Sequence, residues 1–199
     1  MKYFLTFSFL IILITGHGQD QYKDSLARYL DDYVANHEVV AGDDKKKMTF
    51  YPVDRHMRIT ARFEKVNDGK WFQMETSANL KQTFRTVGIL HFTIHDTLVK
   101  LNVYQSQNLM LVSKYKDLLF LPFTDLSSGE DSYENGRYID LYTTDVVNDQ
   151  LIIDFNKAYN PYCAYISGKY NCPVPPKENQ LPVAIHAGEM KFNKTATGH

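Results

Sequence analysis

The chain has no basic run longer than three residues, only two cysteines and, past Thr15, no apolar stretch long enough to cross a bilayer. Each absence narrows what the protein can do. Lys and Arg number 22 against 23 Asp and Glu, a formal charge of −1. Nucleic acid binding needs a positive stripe, which this balance does not supply. Lys45-Lys46-Lys47 follows Asp43-Asp44 and reads as a solvated turn. The motifs GxSxG, HExxH and GxGxxG and the P-loop are all missing. Zinc wants four ligands, and the sequence holds neither a second cysteine pair nor a neighbouring histidine pair. His91 and His95 are four apart, but on a strand that spacing spans about 13 Å, too far to share a metal. His186 stands alone and is expected to be a hydrogen-bonded structural residue. Neither a metal nor a cofactor is therefore expected.

The first residues follow the grammar of export. Lys2 gives a positive n-region, Tyr3 to Thr15 an uncharged apolar core, and Gly16-His17-Gly18 small residues flanking a cut before Gln19. Residues 1–18 are predicted to be a cleavable signal. The remainder, 19–199, is predicted to be one exported domain, periplasmic or secreted, with no transmembrane anchor in the mature chain. In that setting an even cysteine count suggests a Cys163–Cys172 disulfide, worth roughly 2–3 kcal/mol by loop entropy. Free structural thiols rank second, and metal or redox chemistry last.

Periodicity divides the rest. Tyr22, Leu26, Tyr29, Leu30, Tyr33 and His37 recur at helical spacing, which predicts one amphipathic helix over Asp20–His37 with Asp20 as its cap. From Arg58 the period is two. Ile59, Ala61 and Phe63 alternate with polar residues, and Asp68-Gly69 reads as a hairpin turn before Phe72 and Met74. Leu90, Phe92 and Ile94 precede a turn near Asp96, with Val99, Leu101 and Val103 after it. Asp117 to Phe123 looks buried on both faces. Arg137–Tyr142, Leu151–Asn156 and Val183–Ala187 complete about eight strand candidates. The prediction is a mainly β fold, an antiparallel sheet curled into a barrel or sandwich, with one N-terminal helix packed on it.

Polar residues crowd the chain after Pro122, among short apolar strands and the prolines Pro173, Pro175, Pro176 and Pro182. There the runs GRYIDL, IDFNKAYNPYCAY, CPVPPKEN and AGE stand in order. Together they resemble the signature of an uncharacterised bacterial family catalogued as domain of unknown function 1684. The resemblance is strongest over Leu119–Glu189 and extends back to about Tyr51. Family members usually read TSG and TYGGG where this chain has Ser127-Ser128-Gly129 and Ser132-Tyr133-Glu134-Asn135-Gly136. The resemblance implies a shared fold or site and carries no activity with it.

Ligand-binding candidates come from these motifs: Asp125, Glu130, Tyr133, Arg137, Asp154, Asn156, Tyr159, Asn160, Glu178, Asn179 and Glu189. A structural role is weighed beside each. Arg137 could be a buried salt bridge to Asp154 or Glu189 that fixes the sheet. Asp154 and Asn156 share a strand face and, beside Tyr159-Asn160-Pro161, could cradle a small ligand, with the disulfide holding Tyr159, Asn160 and Tyr165 against them. Two functions follow. One is an exported small-molecule-binding or accessory domain of the cell envelope, its polar pocket facing a small polar ligand or an envelope partner. The alternative is a hydrolase or lyase using Arg137 with paired carboxylates.

Overall fold

The computed structural model describes residues 15–78 and 80–193, with side chains from Gln21 onward. Residues 1–14 of the predicted signal lie outside the described residues. The helix α1 spans Thr15–Ala35. It therefore starts upstream of Asp20, which sits inside it rather than capping it, and it stops short of His37. Leu26 is its buried anchor, with Tyr22, Leu30 and Tyr33 half-buried on the same side and Tyr29 partly exposed.

Seven strands follow: β1 (Arg58–Lys65), β2 (Trp71–Met74), β3 (Gln82–Ile94), β4 (Thr97–Ser106), β5 (Leu118–Phe123), β6 (Arg137–Tyr142) and β7 (Gln150–Asp154). All pairings between them are antiparallel, in the order β6-β5-β4-β3-β1-β7. The sheet curls into a half-barrel. Strands β1 and β2 do not form the hairpin that Asp68-Gly69 suggested. They lie end to end along one edge of the long β3, β1 against Gly88–His91 and β2 against Gln82–Arg85. The β3–β4 hairpin forms as expected, its turn made by His95 and Asp96 at φ 47° and 59°. Val183–Ala187 forms no strand; its backbone groups bond to Asp125, Leu126 and Arg137 instead.

Period-two alternation supplies two buried faces. Phe63, Leu90, Leu101, Leu121, Ile139 and Ile153 fill the inner core, joined by Phe155, Leu181 and Ile185 from the chain that follows the sheet. Phe84, Tyr104, Phe120 and Tyr138 make a second cluster on the outer face. Strand β5 serves both, which is why all its residues are buried. A bulge between Thr86 and Gly88 switches β3 from one face to the other: Phe84 points outward and Leu90 inward, although both are even-numbered. Gly88 permits this, since a Cβ there would lie 2.2 Å from the Phe63 ring.

Beyond β7 the chain is mostly irregular and wraps the sheet. Tyr138 and Tyr159 exchange two backbone hydrogen bonds of 2.9 and 3.0 Å, which covers the free edge of β6. Strands β4 and β5 pair only at Tyr104 and Phe120. The buried Asn179 amide spans the gap, accepting from the Asn102 N–H and donating to the Asn102 and Pro122 carbonyls.

Candidate functional site

Arg137, the motif cation, is fully buried. Its partner is Asp125 at 2.9 Å, neither Asp154 nor Glu189, and both side chains are 0% exposed. The guanidinium also donates to the Ile185 and Ala187 carbonyls at 2.8 and 2.5 Å and to the Glu189 carbonyl at 3.2 Å. The second oxygen of Asp125 accepts from Ser127 and from the Ile185 N–H. This cluster staples the start of β6 to the C-terminal wrap. Tyr133 is buried close by in sequence, with Asn135 donating to its hydroxyl, while Glu130 and Glu178 point to solvent.

Asp154 and Asn156 hold a different joint. Asp154 ends β7 and accepts from the Tyr22 hydroxyl at 2.9 and 3.0 Å. Asn156 lies past the strand, in the 3-10 turn Phe155–Lys157. It accepts from the Asp54 N–H and donates to the Asp54 carbonyl and the Tyr22 hydroxyl. Together they pin the N-terminal half of α1. Burial, then Asp154, pushes the Tyr22 hydroxyl well above its ordinary pKa.

Glu189 pins the other half. Its carboxylate is fully buried between α1 and the loop after β7, and among the described residues it forms no salt bridge. It accepts from Tyr165 at 2.6 Å, the Asn160 N–H at 2.9 Å and Tyr33 at 3.3 Å. Burial raises its pKa from 4.5 to about 7, and those donors limit the rise. Gly188, at φ +78°, aims this carboxylate; a Cβ there would meet the Ala158 carbonyl at 2.6 Å.

Cys163 and Cys172 are bonded, with Cα atoms 6.3 Å apart. The loop they close is held against Glu189 and α1 through Tyr165, with Asn160 just before it also on Glu189, rather than against Asp154 and Asn156. It forms one wall of a groove of about 650 Å³. The floor is the outer sheet face, with Phe84, Phe120, Tyr138 and Asp140. A second wall is the C-terminal end of α1 and the residues just after it, with Tyr29, Asp32, Tyr33, Asn36, His37 and Glu38. Of the predicted ligand residues only Tyr159 lines it. Its hydroxyl donates to Asp140 at 2.9 Å, and Tyr162 donates to Glu38 at 2.9 Å. Asp140 is open to solvent on one side, yet the protein packed around it raises its pKa, with the Tyr159 bond pulling the other way. The groove's acids are Asp32, Glu38 and Asp140, and none of its lining residues is lysine or arginine.

The candidates therefore do not converge. Arg137 with Asp125 and Glu189 with Asn160, linked by the Arg137 bond to the Glu189 carbonyl, form one run of buried joints; Asp154 with Asn156 and Asn179 form others; and the groove lies on the other side of β6. Alternation along GRYIDL separates the two: Ile139 and Leu141 face the inner core, while Tyr138 and Asp140 face the groove. That alternation, together with the tyrosines of the predicted helix, was the signal available for it. Among the described residues no group of His, Cys, Asp and Glu is placed to hold a metal, and no helix is long and apolar enough to cross a membrane.

A helix-backed antiparallel half-barrel whose motif residues lock an irregular C-terminal wrap is the class these features define. The chain belongs to the family described as Protein of unknown function (DUF1684), whose model matches residues 44–190. It is also similar to the solution NMR structure of an uncharacterized protein from Haloarcula marismortui. The two are 25% identical, with a TM-score of 0.65 over 92% of this chain and 99% of that one. None of the curated proteins matches.

Proposed function

We propose that the protein is an exported, non-catalytic binding domain whose ligand site is the tyrosine-lined groove. One observation carries this: the walls come from three distant parts of the chain and are fixed before any ligand arrives. The disulfide, the Glu189 cluster and the Tyr138–Tyr159 bridge hold them. A volume of about 650 Å³ is that of a small-molecule site, and a pre-ordered wall avoids the entropy cost of ordering a loop on binding. Export, to the periplasm or beyond the cell, is supported by the signal-type sequence at residues 1–18 and by a disulfide that suits an oxidising compartment. A hydrolase or lyase built on Arg137 has less support, since the guanidinium is fully buried and its two NH2 groups are taken by Asp125 and the Ile185, Ala187 and Glu189 carbonyls, which leaves Nε alone unpaired among the described residues.

The test is amide-shift mapping with mixtures of sugars, amino acids, amines and organic acids. A binder should move amides at Asn36–Glu38, Asp140, Tyr159–Tyr162 and Tyr170–Cys172 as one set. Asn36→Trp, at the exposed rim, should abolish that set. Shifts clustered instead around Asp54–Arg58 or Asp125–Glu130, no shifts at all, or consumption of a compound by the wild type would each overturn the proposal.

A further inference from the structure

Chemistry inside the groove narrows its ligand, and the narrowing rests on the binding role just proposed. Among the described residues three carboxylates line the space, and no lysine or arginine does. The helix α1 ends at Ala35 beside it, with no basic residue in its last turn. A helix C-terminus carries partial negative charge and favours cations. Tyrosine rings present electron-rich faces, which attract ammonium groups at about 6 Å or less.

The chain's own cations already settle at this rim. The Lys157 ammonium lies 4.7 Å from the centre of the Tyr29 ring. Lys45 donates to the Ala35 carbonyl at the helix end. The phenols feel the same negative field. Burial and then nearby anions raise their pKa values, Asp140 acting on Tyr29 and Tyr159, and Glu38 acting on Tyr162, which reaches about 12.

His37 supplies an independent demand. It is 8% exposed and belongs to the groove wall. Its Nδ1 accepts from the Val39 and Val40 N–H groups, which puts the proton of the neutral ring on Nε2. Burial and then Lys45 lower its pKa, favouring that neutral form. Yet among the described residues Nε2 has no hydrogen-bond partner; the ring is packed edge-on by Tyr33, Tyr162 and Tyr165, and a buried donor without an acceptor is costly.

We infer that the groove takes an organic cation of the amino-alcohol type, its ammonium group against the tyrosine rings and carboxylates and its oxygen accepting from His37. The groove is larger than one such head group, so the rest of the molecule extends along the open side.

Choline is the probe, with its neutral isostere 3,3-dimethyl-1-butanol and tetramethylammonium as the controls, all at one ionic strength set with sodium chloride. Choline should shift the groove amides saturably. The isostere, lacking the charge, and tetramethylammonium, lacking the oxygen, should each bind about tenfold more weakly or worse. Asp140→Asn, which keeps an acceptor for Tyr159, and Glu38→Gln should each weaken choline by a similar factor with the melting temperature unchanged. An isostere that binds as tightly as choline, or choline shifts indifferent to both substitutions, overturns the cation assignment while leaving a binding groove. Tetramethylammonium equal to choline removes the His37 contact and with it the amino-alcohol class. Groove amides that respond to none of the three probes overturn this inference; the broader binding role then stands or falls with the compound mixtures.

Discussion

Arg137 offers the sharpest separation between a framework residue and a ligand-contacting one. Arg137→Met would leave the Asp125 carboxylate buried with no countercharge, although the Ser127 and Ile185 donors remain. It would also strip donors from the Ile185 and Ala187 carbonyls. Breaking a fully buried pair from one side costs about 3–5 kcal/mol. At a urea dependence of about 2 kcal/mol per molar, the unfolding midpoint should fall by about 2 M. Asp125→Asn in the same background removes the stranded charge, so the double variant should be more stable than the two single losses added together. A coupling of about 2 kcal/mol or more is expected from the full cycle, measured by urea unfolding followed by circular dichroism. Additivity to within about 0.5 kcal/mol would refute the coupling. So would an Arg137→Met protein with the wild-type midpoint. If that protein had also lost ligand binding, Arg137 would belong to a site rather than to the frame.

The remaining expectations concern the walls of the groove. Replacing both cysteines by alanine opens a loop with a sequence separation of 9, which should cost about 2.5 kcal/mol and lower Tm by roughly 5–10 °C. Hydrogen exchange should quicken first at Tyr162 to Tyr165; unchanged Tm and exchange would mean that the hydrogen bonds alone hold the wall. Glu189 has a folded pKa of about 7, above its ordinary 4.5. Its burial penalty is therefore absent below about pH 4.5, grows as pH rises and is complete above about pH 7, at on the order of 3 kcal/mol. Urea midpoints at pH 5 and pH 8 should differ more in the wild type than in Glu189→Gln, and equal differences would refute the assignment.

Much of the fold was legible because burial imposes period two. Ala61 and Phe63, Leu90 to Val103, and Ile139 and Leu141 read correctly onto one face, and Arg137–Tyr142 matched its strand end to end. Where the alternation changes phase, it misled. The bulge at Thr86–Gly88 flips β3, so Gln82 to Val87 did not announce themselves as the start of the strand that runs to Ile94. Val183–Ala187 alternates like a strand, but long-range bonds from Asp125 and Arg137 claim its backbone. The site was harder still. Tyr29 and Tyr33 read as packing residues, and Tyr138 and Asp140 hid inside a motif whose charged neighbour drew attention. Which side of β6 is open depends on where α1 and the disulfide loop come to rest, and no local pattern encodes that. The pairing of the two cysteines, by contrast, is the first-ranked reading of an even count in a chain with an export-type start.

The joints that hold α1 have a consequence for how the protein comes into being. Tyr22 meets Asp154 across a sequence separation of 132, and Tyr33 meets Glu189 across 156. Phe50 and Arg58 touch α1 early, but its two hydrogen-bonded joints cannot close until nearly all of the described residues exist. Until then α1 is a marginal, largely solvent-exposed helix, and contacts this distant in sequence form slowly. Because the same helix is one wall of the groove, a nascent or truncated chain can build much of the sheet and still present nothing for a ligand to enter. On the binding role proposed above, competence would arrive with the last segment of the wrap, which would make it a readout of completed folding.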